Sequence, residues 1–268
     1  MIPKLAERAY FAVCLSLGRL LRSAKYSTTR IVHENGRREV RKRRAFYAPL
    51  LVWMGGALIR FLDTGVRVLA QTDWEARERT IYQRLGRGPI RIGDDGMLVL
   101  PCLAGTTLAT LLEDPKQEES TRRRAIEHAV VALADFHRLG LTHGDAMAEN
   151  VAIDLETGVA QWFDFETMHD STRSMEWRRA DDVRALLVTC LVRTAPAKRA
   201  EILQLLFDVY QDEDVTLLVA ASVAAVFRRP LPFHLAQAPL SFQCDQEIAQ
   251  LLIARTNSRR SALRTAPR

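Results

Sequence analysis

Three polar side chains in the middle of the chain have the types and the spacing needed for phosphoryl transfer. Asp145 and Asn150 stand five positions apart in the segment 143–150, which reads His-Gly-Asp-Ala-Met-Ala-Glu-Asn. Asp164 ends the next apolar run and begins Asp-Phe-Glu. Transfer from a metal-bound nucleotide needs one carboxylate to accept or orient a substrate hydroxyl, while an amide oxygen and a second carboxylate bind Mg²⁺. We therefore predict Asp145 as the catalytic group and Asn150 and Asp164 as metal ligands.

Other polar residues beside these three are given supporting roles. His143 is predicted to pack and hydrogen-bond within the loop rather than to transfer a proton. Glu149 and Glu166 are predicted either to assist the metal or to lie beside it. The chemistry itself is therefore assigned to two aspartates and one asparagine.

The surrounding elements are predicted to be a helix, a loop and a hairpin. Residues 121–139 carry apolar side chains at helical spacing and end before Gly140, a helix-stop signal. Residues 151–153 and 159–163 read as two strands joined by a turn. The loop then lies between helix and hairpin, and the second strand leads into Asp-Phe-Glu.

In this order of elements and motifs the chain resembles the protein-kinase-like superfamily. The resemblance is carried by Asp145, Asn150 and Asp164 and covers roughly residues 30–190. The His-Gly-Asp and Asp-Phe-Glu forms are closest to atypical bacterial branches, namely aminoglycoside and choline phosphotransferases, Rio-type kinases, and lipopolysaccharide core kinases that phosphorylate heptose or Kdo. This resemblance implies an α+β, two-lobed fold with a small β-rich N-lobe and a mainly helical C-lobe. It also implies ATP and Mg²⁺ as cofactors.

Length and composition fit one such domain. The chain has 268 residues, of which 48% are hydrophobic, and its four cysteines are scattered without a CxxC pair. We expect a single kinase-like domain, and the cysteine pattern indicates neither a disulfide framework nor a zinc site. Its predicted parts are an amphipathic helical extension (1–28), an N-lobe (29–103) with an apolar insertion (46–62), a C-lobe (104–258) and a basic tail (259–268).

Adenine binding is assigned to the segment that would join the two lobes. Residues 97–100 read as a buried strand that leads into Pro101 and Leu103. By resemblance to kinases, which read adenine through backbone groups, the carbonyl of Pro101 would accept and the N–H of Leu103 would donate. Proline is tolerated at the first position because only its carbonyl is needed. A strand followed by a glycine turn without a ligand is the alternative.

The small lobe also needs a cation for the phosphates and a carboxylate on a helix to hold that cation in place. Residues 73–85 are the predicted helix, with Asp73 as its cap. Glu78 is the predicted carboxylate, and Glu75 is the competitor on nearly the same face.

Lys42 is the predicted cation. It lies in the strand-like stretch 38–44 after a hairpin turn signal at 34–36, and the only earlier lysines are Lys4 and Lys25. A solvated charge run is the alternative, because Lys42 stands among arginines. No Gly-x-Gly-x-x-Gly loop precedes it, which disfavours ordinary protein kinases more than the atypical branches.

After Asp164 the chain passes quickly into residues 175–187, which look like the central helix of the large lobe. Asp182 resembles the kinase aspartate that accepts hydrogen bonds from the catalytic-loop backbone, with Asp181 as the alternative. Residues 203–226 are predicted to add further helical, largely apolar surface.

Two apolar segments with flanking basic residues indicate a membrane interface. These are residues 4–22 and 46–62, and neither reads as a transmembrane span or a signal peptide. Helices packed on the domain are the alternative for both. A formal net charge of +6 permits an anionic membrane surface or a phosphorylated glycolipid as partner. Nucleic acid is not expected, because no recognition motif appears.

The predicted function is ATP- and Mg²⁺-dependent transfer of the γ-phosphate to a hydroxyl group, with a sugar of a membrane-associated glycolipid as the favoured acceptor. A soluble small-molecule phosphotransferase and an atypical Ser/Thr protein kinase are the alternatives. A nucleotide-binding pseudokinase scaffold is a further one. The expected location is the cytoplasm, and the membrane-interface interpretation adds a peripheral position on the inner face of the cell membrane.

Overall fold

The computed structural model describes residues 27–34, 36–45 and 64–224, together with positions 250 and 254. Over these ranges the fold is of the α+β class, with small antiparallel sheets and six α-helices. The predicted extension up to residue 26, the apolar insertion 46–62 and the tail 259–268 lie outside the described residues.

The strands pair antiparallel in three small sheets. They are β1 (Ser27–Glu34), β2 (Arg37–Arg44), β3 (Val66–Val68), β4 (Arg91–Ile92), β5 (Leu98–Pro101), β6 (Thr106–Thr107), β7 (Val151–Asp154), β8 (Val159–Trp162) and β9 (Thr167–His169). The strand orders are β1-β2-β5-β4, β3-β9 and β6-β7-β8. The short β3-β9 ladder therefore ties the stretch just before the first helix to the stretch just after Asp-Phe-Glu.

The helices lie mostly after the first sheet in the chain. They are α1 (Gln71–Arg84), α2 (Leu108–Glu113), α3 (Glu119–Arg138), α4 (Met175–Val192), α5 (Arg199–Tyr210) and α6 (Glu213–Ala224), with single 3₁₀ turns at Ala148–Asn150 and Pro196–Lys198. Among the described residues, no helix combines the length and the apolar character that crossing a bilayer requires.

The hairpin β1-β2 determines which face of the sheet carries the side chain of Lys42. Its closing pair is Glu34 with Arg37, so the predicted turn at 34–36 is confirmed. Because side chains alternate along a strand, Lys42 and Arg44 share one face, and both are buried. Strand β1 already begins at Ser27, inside the predicted extension 1–28.

Helix α1 begins earlier than its sequence signal predicts. Its N-cap is Ala70, without a side-chain cap, so the prediction that Asp73 caps the helix is wrong. Asp73 instead lies in the first turn, where a carboxylate still interacts favourably with the positive end of the helix dipole. The buried face of α1 carries Trp74, Glu78, Ile81 and Tyr82.

One continuous apolar core joins β5, the β7-β8 hairpin and all six helices. Helix α3 confirms the prediction over 121–139, and Gly140 follows it with a positive φ of 70°. The predicted helical stretch 203–226 is divided between α5 and α6. The break has a local cause, because Gln211 adopts a left-handed conformation with φ 57° at the end of α5.

Candidate active site

A cleft of about 330 Å³ lies between the first sheet and the β7-β8 hairpin. Its walls come from β1, β2, β5, α1 and the residues that follow β8. Five of the predicted site residues line it: Lys42, Glu78, Pro101, Leu103 and Asp164. The volume lies at the lower end of the range usual for small-molecule sites.

The backbone after β5 presents the groups that the predicted adenine contact requires. Cys102 donates its N–H to the carbonyl of Arg38 on β2 at 3.3 Å. Since neighbouring residues of a strand direct their backbone groups to opposite sides, the carbonyl of Pro101 and the N–H of Leu103 point away from β2. Strand β4 pairs only with the earlier part of β5. The missing N–H of Pro101 therefore costs no sheet hydrogen bond.

Asp182 fixes the loop that carries the candidate catalytic residue. Its Oδ2 accepts the N–H of His143 at 2.7 Å, and its Oδ1 accepts the N–H of Gly144 at 2.9 Å. Burial alone would raise the pKa of Asp182, but the neighbouring His169 and His137 bring it below its usual range. The carboxylate therefore remains an acceptor. The alternative residue, Asp181, contacts His169 and Arg184.

His143 holds the loop from inside. It is fully buried, its Nε2 lies 2.9 Å from the carbonyl oxygen of Phe163, and its Nδ1 accepts the N–H of Asp145 at 3.2 Å. Burial lowers the pKa of His143 to about 4. A neutral ring that donates from Nε2 and accepts at Nδ1 satisfies both contacts, in accordance with a structural role.

Asp145 and Asn150 are brought together by the loop. The side-chain nitrogen of Asn150 donates to the Asp145 carbonyl at 2.8 Å and to its Oδ2 at 3.0 Å. Burial, and next the charge of Asp164, raise the pKa of Asp145 well above its ordinary value. Of the predicted site residues, Asp145 and Asn150 are not in the described lining of the cleft, and the charge of Asp164 is what links the cleft to Asp145. Because both contacts use the amide nitrogen of Asn150, its amide oxygen is the atom that suits a cation.

Asp164 stands where the two parts of the site meet. Its backbone is left-handed with φ 67°, a conformation that aspartate adopts more readily than most residues. The Lys42 ammonium lies 2.5 Å from its Oδ1 and 2.7 Å from the Oε1 of Glu166. Burial would lower the pKa of Lys42, but Asp164 and Glu166 outweigh burial and raise it. The lysine therefore stays charged.

Glu78 has a different contact from the one predicted. Its Oε1 accepts the N–H of Phe165 at 3.1 Å and the indole N–H of Trp74 at 3.2 Å. Within the described residues, no Lys42–Glu78 ion pair is found within 4.0 Å, although both side chains line the cleft and the charge of Glu78 helps to raise the pKa of Lys42. Burial raises the pKa of Glu78. The competitor Glu75 contacts Gln71 on the outer part of α1.

Several supporting residues gave no usable signal in the sequence. Arg77 on α1 donates to the carbonyl oxygen of Thr142 at 2.6 Å and thereby connects the helix to the catalytic loop. Arg44 lies 3.2 Å from the Oε2 of Glu166. With 38 lysines and arginines in the chain, residue type could not single out these two.

The two glutamates left open by the sequence have separate partners. Glu149 pairs with Arg193 at 2.7 Å, and Arg193 also pairs with Glu113 at 2.7 Å. Glu166 pairs with Lys42 and Arg44. Each carboxylate therefore already contacts an arginine or a lysine.

The donor set fits a nucleotide-bound magnesium ion. In the part of the chain that the structure describes, no group of three or more His, Cys, Asp or Glu side chains could hold a metal by itself. Magnesium in proteins commonly takes only one or two side-chain oxygens and completes its shell with phosphates and water. In such a site Asn150 and Asp164 would supply the two side-chain oxygens, and a cation would relieve the repulsion that Asp145 experiences from Asp164.

Comparisons with known proteins give no assignment: no family model matches the chain, and a search of curated proteins finds no match.

Proposed function

We propose that this chain is a kinase with a two-lobed, protein-kinase-like fold that transfers the γ-phosphoryl group of ATP to a hydroxyl group. One observation carries the proposal. Lys42, the backbone at Pro101 and Leu103, and Asp164 line one cleft, although they lie far apart in sequence. The charge of Asp164 in turn reaches Asp145, which shares hydrogen bonds with Asn150.

In this proposal each part of the chain has one task. The carbonyl of Pro101 and the N–H of Leu103 bind adenine, and Lys42 neutralises phosphate charge. Asn150 and Asp164 hold Mg²⁺, which stabilises negative charge on the transferred group. Asp145 orients the acceptor hydroxyl and accepts its proton.

The short connection between Asp164 and α4 supports an acceptor other than a protein. Strand β9 follows almost at once, and α4 begins at Met175. This leaves little chain to form an extended peptide-binding platform. We favour a sugar hydroxyl of a membrane-associated glycolipid, on the basis of the apolar and basic segments 4–22 and 46–62. A soluble small-molecule acceptor is the alternative, and flotation with liposomes separates the two.

The test is a γ-phosphate transfer screen with the full chain against membrane glycolipids, small alcohols and protein extract. Asp145→Asn should reduce turnover by at least about 10²-fold, because it removes the proton acceptor. It should keep the thermal shift that Mg²⁺ and ATP produce. Asp208→Asn, at an exposed carboxylate on α5, is the matched control and should retain wild-type turnover. Undiminished turnover in Asp145→Asn would contradict the proposal.

A nucleotide-binding scaffold without chemistry would give another pattern. It would show the thermal shift in Mg²⁺ and ATP, and no phosphate transfer in any arm of the screen. Absence of both the shift and the transfer would remove the nucleotide-binding part of the proposal as well.

A further inference from the structure

Lys42 has two carboxylate partners, and both come from Asp-Phe-Glu. Its ammonium lies 2.5 Å from Asp164 and 2.7 Å from Glu166. The lysine side chain is only 6% exposed, and its ammonium also lies 5.2 Å from the ring centre of Trp74. A buried ammonium needs such partners, because transfer of an unpaired charge from water to the interior costs several kcal/mol.

One oxygen of the helix carboxylate, Oε1 of Glu78, is already occupied by other donors. Glu78 accepts from the backbone N–H of Phe165 and from the indole of Trp74. This contact holds the middle residue of Asp-Phe-Glu against α1. Glu78 therefore acts on the segment that carries Asp164 and Glu166, and acts on the lysine only at a distance.

Asp164 cannot serve both the lysine and a metal ion with equal strength. In the proposed function Asp164 binds Mg²⁺, and a divalent cation at that carboxylate weakens its attraction for a nearby ammonium. The proposed function assigns no metal ion to Glu166. Its other oxygen is held 3.2 Å from Arg44, which is itself anchored to the carbonyl of Leu69 at 2.9 Å.

We propose that Glu166 is the positioning residue that holds Lys42 for the phosphates, in place of a carboxylate on helix α1. The inference rests on the proposed function for the nucleotide part, while the Lys42–Glu166 coupling itself does not. Lys42 pairs with Oε1 of Glu166 and Arg44 with its Oε2, and the glutamate side chain is only 13% exposed. The carboxylate is therefore fixed before any ligand arrives.

The first test is a double-mutant cycle on stability, which needs no nucleotide. Glu166→Gln and Glu78→Gln are each made alone and with Lys42→Met, and unfolding in urea is measured for every variant. The Lys42–Glu166 pair should show a coupling of about tenfold in the unfolding equilibrium constant, and the Lys42–Glu78 pair a coupling below about twofold. Glu39→Gln, which faces Arg91 from the same strand as Lys42, is the matched control and should show no coupling. The reverse order would overturn the proposal.

The second test measures nucleotide binding by the same variants in Mg²⁺. Glu166→Gln should raise the Kd for ATP about tenfold, and should add little when Lys42 is already methionine, because the glutamate acts through the lysine. Glu166→Asp, which keeps the charge but shortens the side chain, should give an intermediate Kd. If Lys42→Met does not fold, a larger Kd increase for Glu78→Gln than for Glu166→Gln would overturn the proposal by itself.

The two tests separate this inference from the proposed function. Stability coupling without any ATP binding would leave the lysine pairing intact and remove the kinase assignment. Binding of ATP without Lys42–Glu166 coupling would leave the nucleotide-binding part of the proposed function intact and remove the inferred role of Glu166.

Discussion

The two sides of the cleft are stabilised by different interactions. The loop that carries Asp145 is held by hydrogen bonds from its own backbone to one buried carboxylate, Asp182, and by the buried imidazole of His143. The side of the cleft that carries Lys42 is held by ion pairs among Lys42, Asp164, Glu166 and Arg44. The first side is therefore stabilised by directional hydrogen bonds, and the second by interactions between charged side chains.

This difference indicates which parts are fixed and which can exchange partners. Backbone hydrogen bonds depend on one geometry, so they fix the orientation of Asp145 before a substrate arrives. Ion pairs are less directional, and an incoming phosphate or cation competes for the same charges. We expect substitutions on the loop side to affect folding most, and substitutions on the lysine side to affect nucleotide binding most.

The largest effect is expected for Asp182→Ala. The substitution leaves the N–H groups of His143 and Gly144 buried without their acceptor, and also removes one of the two side-chain partners of His137. We expect the free energy of unfolding to fall by about 3–5 kcal/mol, as for other broken buried networks. Urea denaturation at neutral pH measures it. The exposed Asp208→Ala is the control, and a loss no larger than that of this control would show that the loop is held elsewhere.

A smaller effect is expected for Gly144→Ala, with Gly140→Ala as a matched control. Both glycines have positive φ, 86° and 70°, so both substitutions carry the strain of about 1–2 kcal/mol that alanine meets there. Only at Gly144 would the new methyl group approach a neighbour, the Cα of Met168 at 3.0 Å. We expect roughly 3 kcal/mol for Gly144→Ala, and loss of turnover in that variant alone. Equal losses of stability in the two variants would show that β9 moves away from the new methyl group without a measurable loss of free energy.

The smallest of the three effects appears only below neutral pH. The pKa of His143 is about 4 in the folded chain and about 6.5 when unfolded, so the unfolded state binds the proton first as pH falls. Stability from the neutral ring is complete above about pH 6.5 and is lost progressively towards pH 4. At pH 5 the loss should be about 2 kcal/mol. His143→Gln should therefore lose less stability than wild type between pH 7 and 5, whereas His33→Gln on β1 should match the wild type. Parallel pH profiles for all three proteins would contradict the buried, neutral state of His143.

The sequence predicted best those elements whose signals are local. The hairpin turn at 34–36, helix α3 with its glycine stop, and the β7-β8 hairpin all appear where apolar spacing and turn residues placed them. The contact of Asp182 with the loop backbone was expected from resemblance, and the structure shows that its two oxygens accept the N–H groups of His143 and Gly144.

Other features depend on distant neighbours and carry no local signal. The partners of Lys42 are separated from it by more than a hundred residues, and nothing in Asp-Phe-Glu indicates that its glutamate faces the lysine. The helix start at Gln71 was missed because Asp73 is a typical cap residue by type. The break at Gln211 was missed because glutamine rarely adopts a left-handed conformation.

The β3-β9 ladder couples the position of helix α1 to that of the segment after Asp-Phe-Glu. Its three residue pairs join the strand leading into α1 to the strand following Asp-Phe-Glu, and a backbone hydrogen bond from Leu69 to Glu166 extends the connection. A helix displacement that widened the cleft would have to rupture these bonds or pull β9 with it. Since β9 also touches Gly144, the same pull would reach the base of the catalytic loop. The wall of the cleft that α1 forms and the loop at Gly144 are therefore connected through β9.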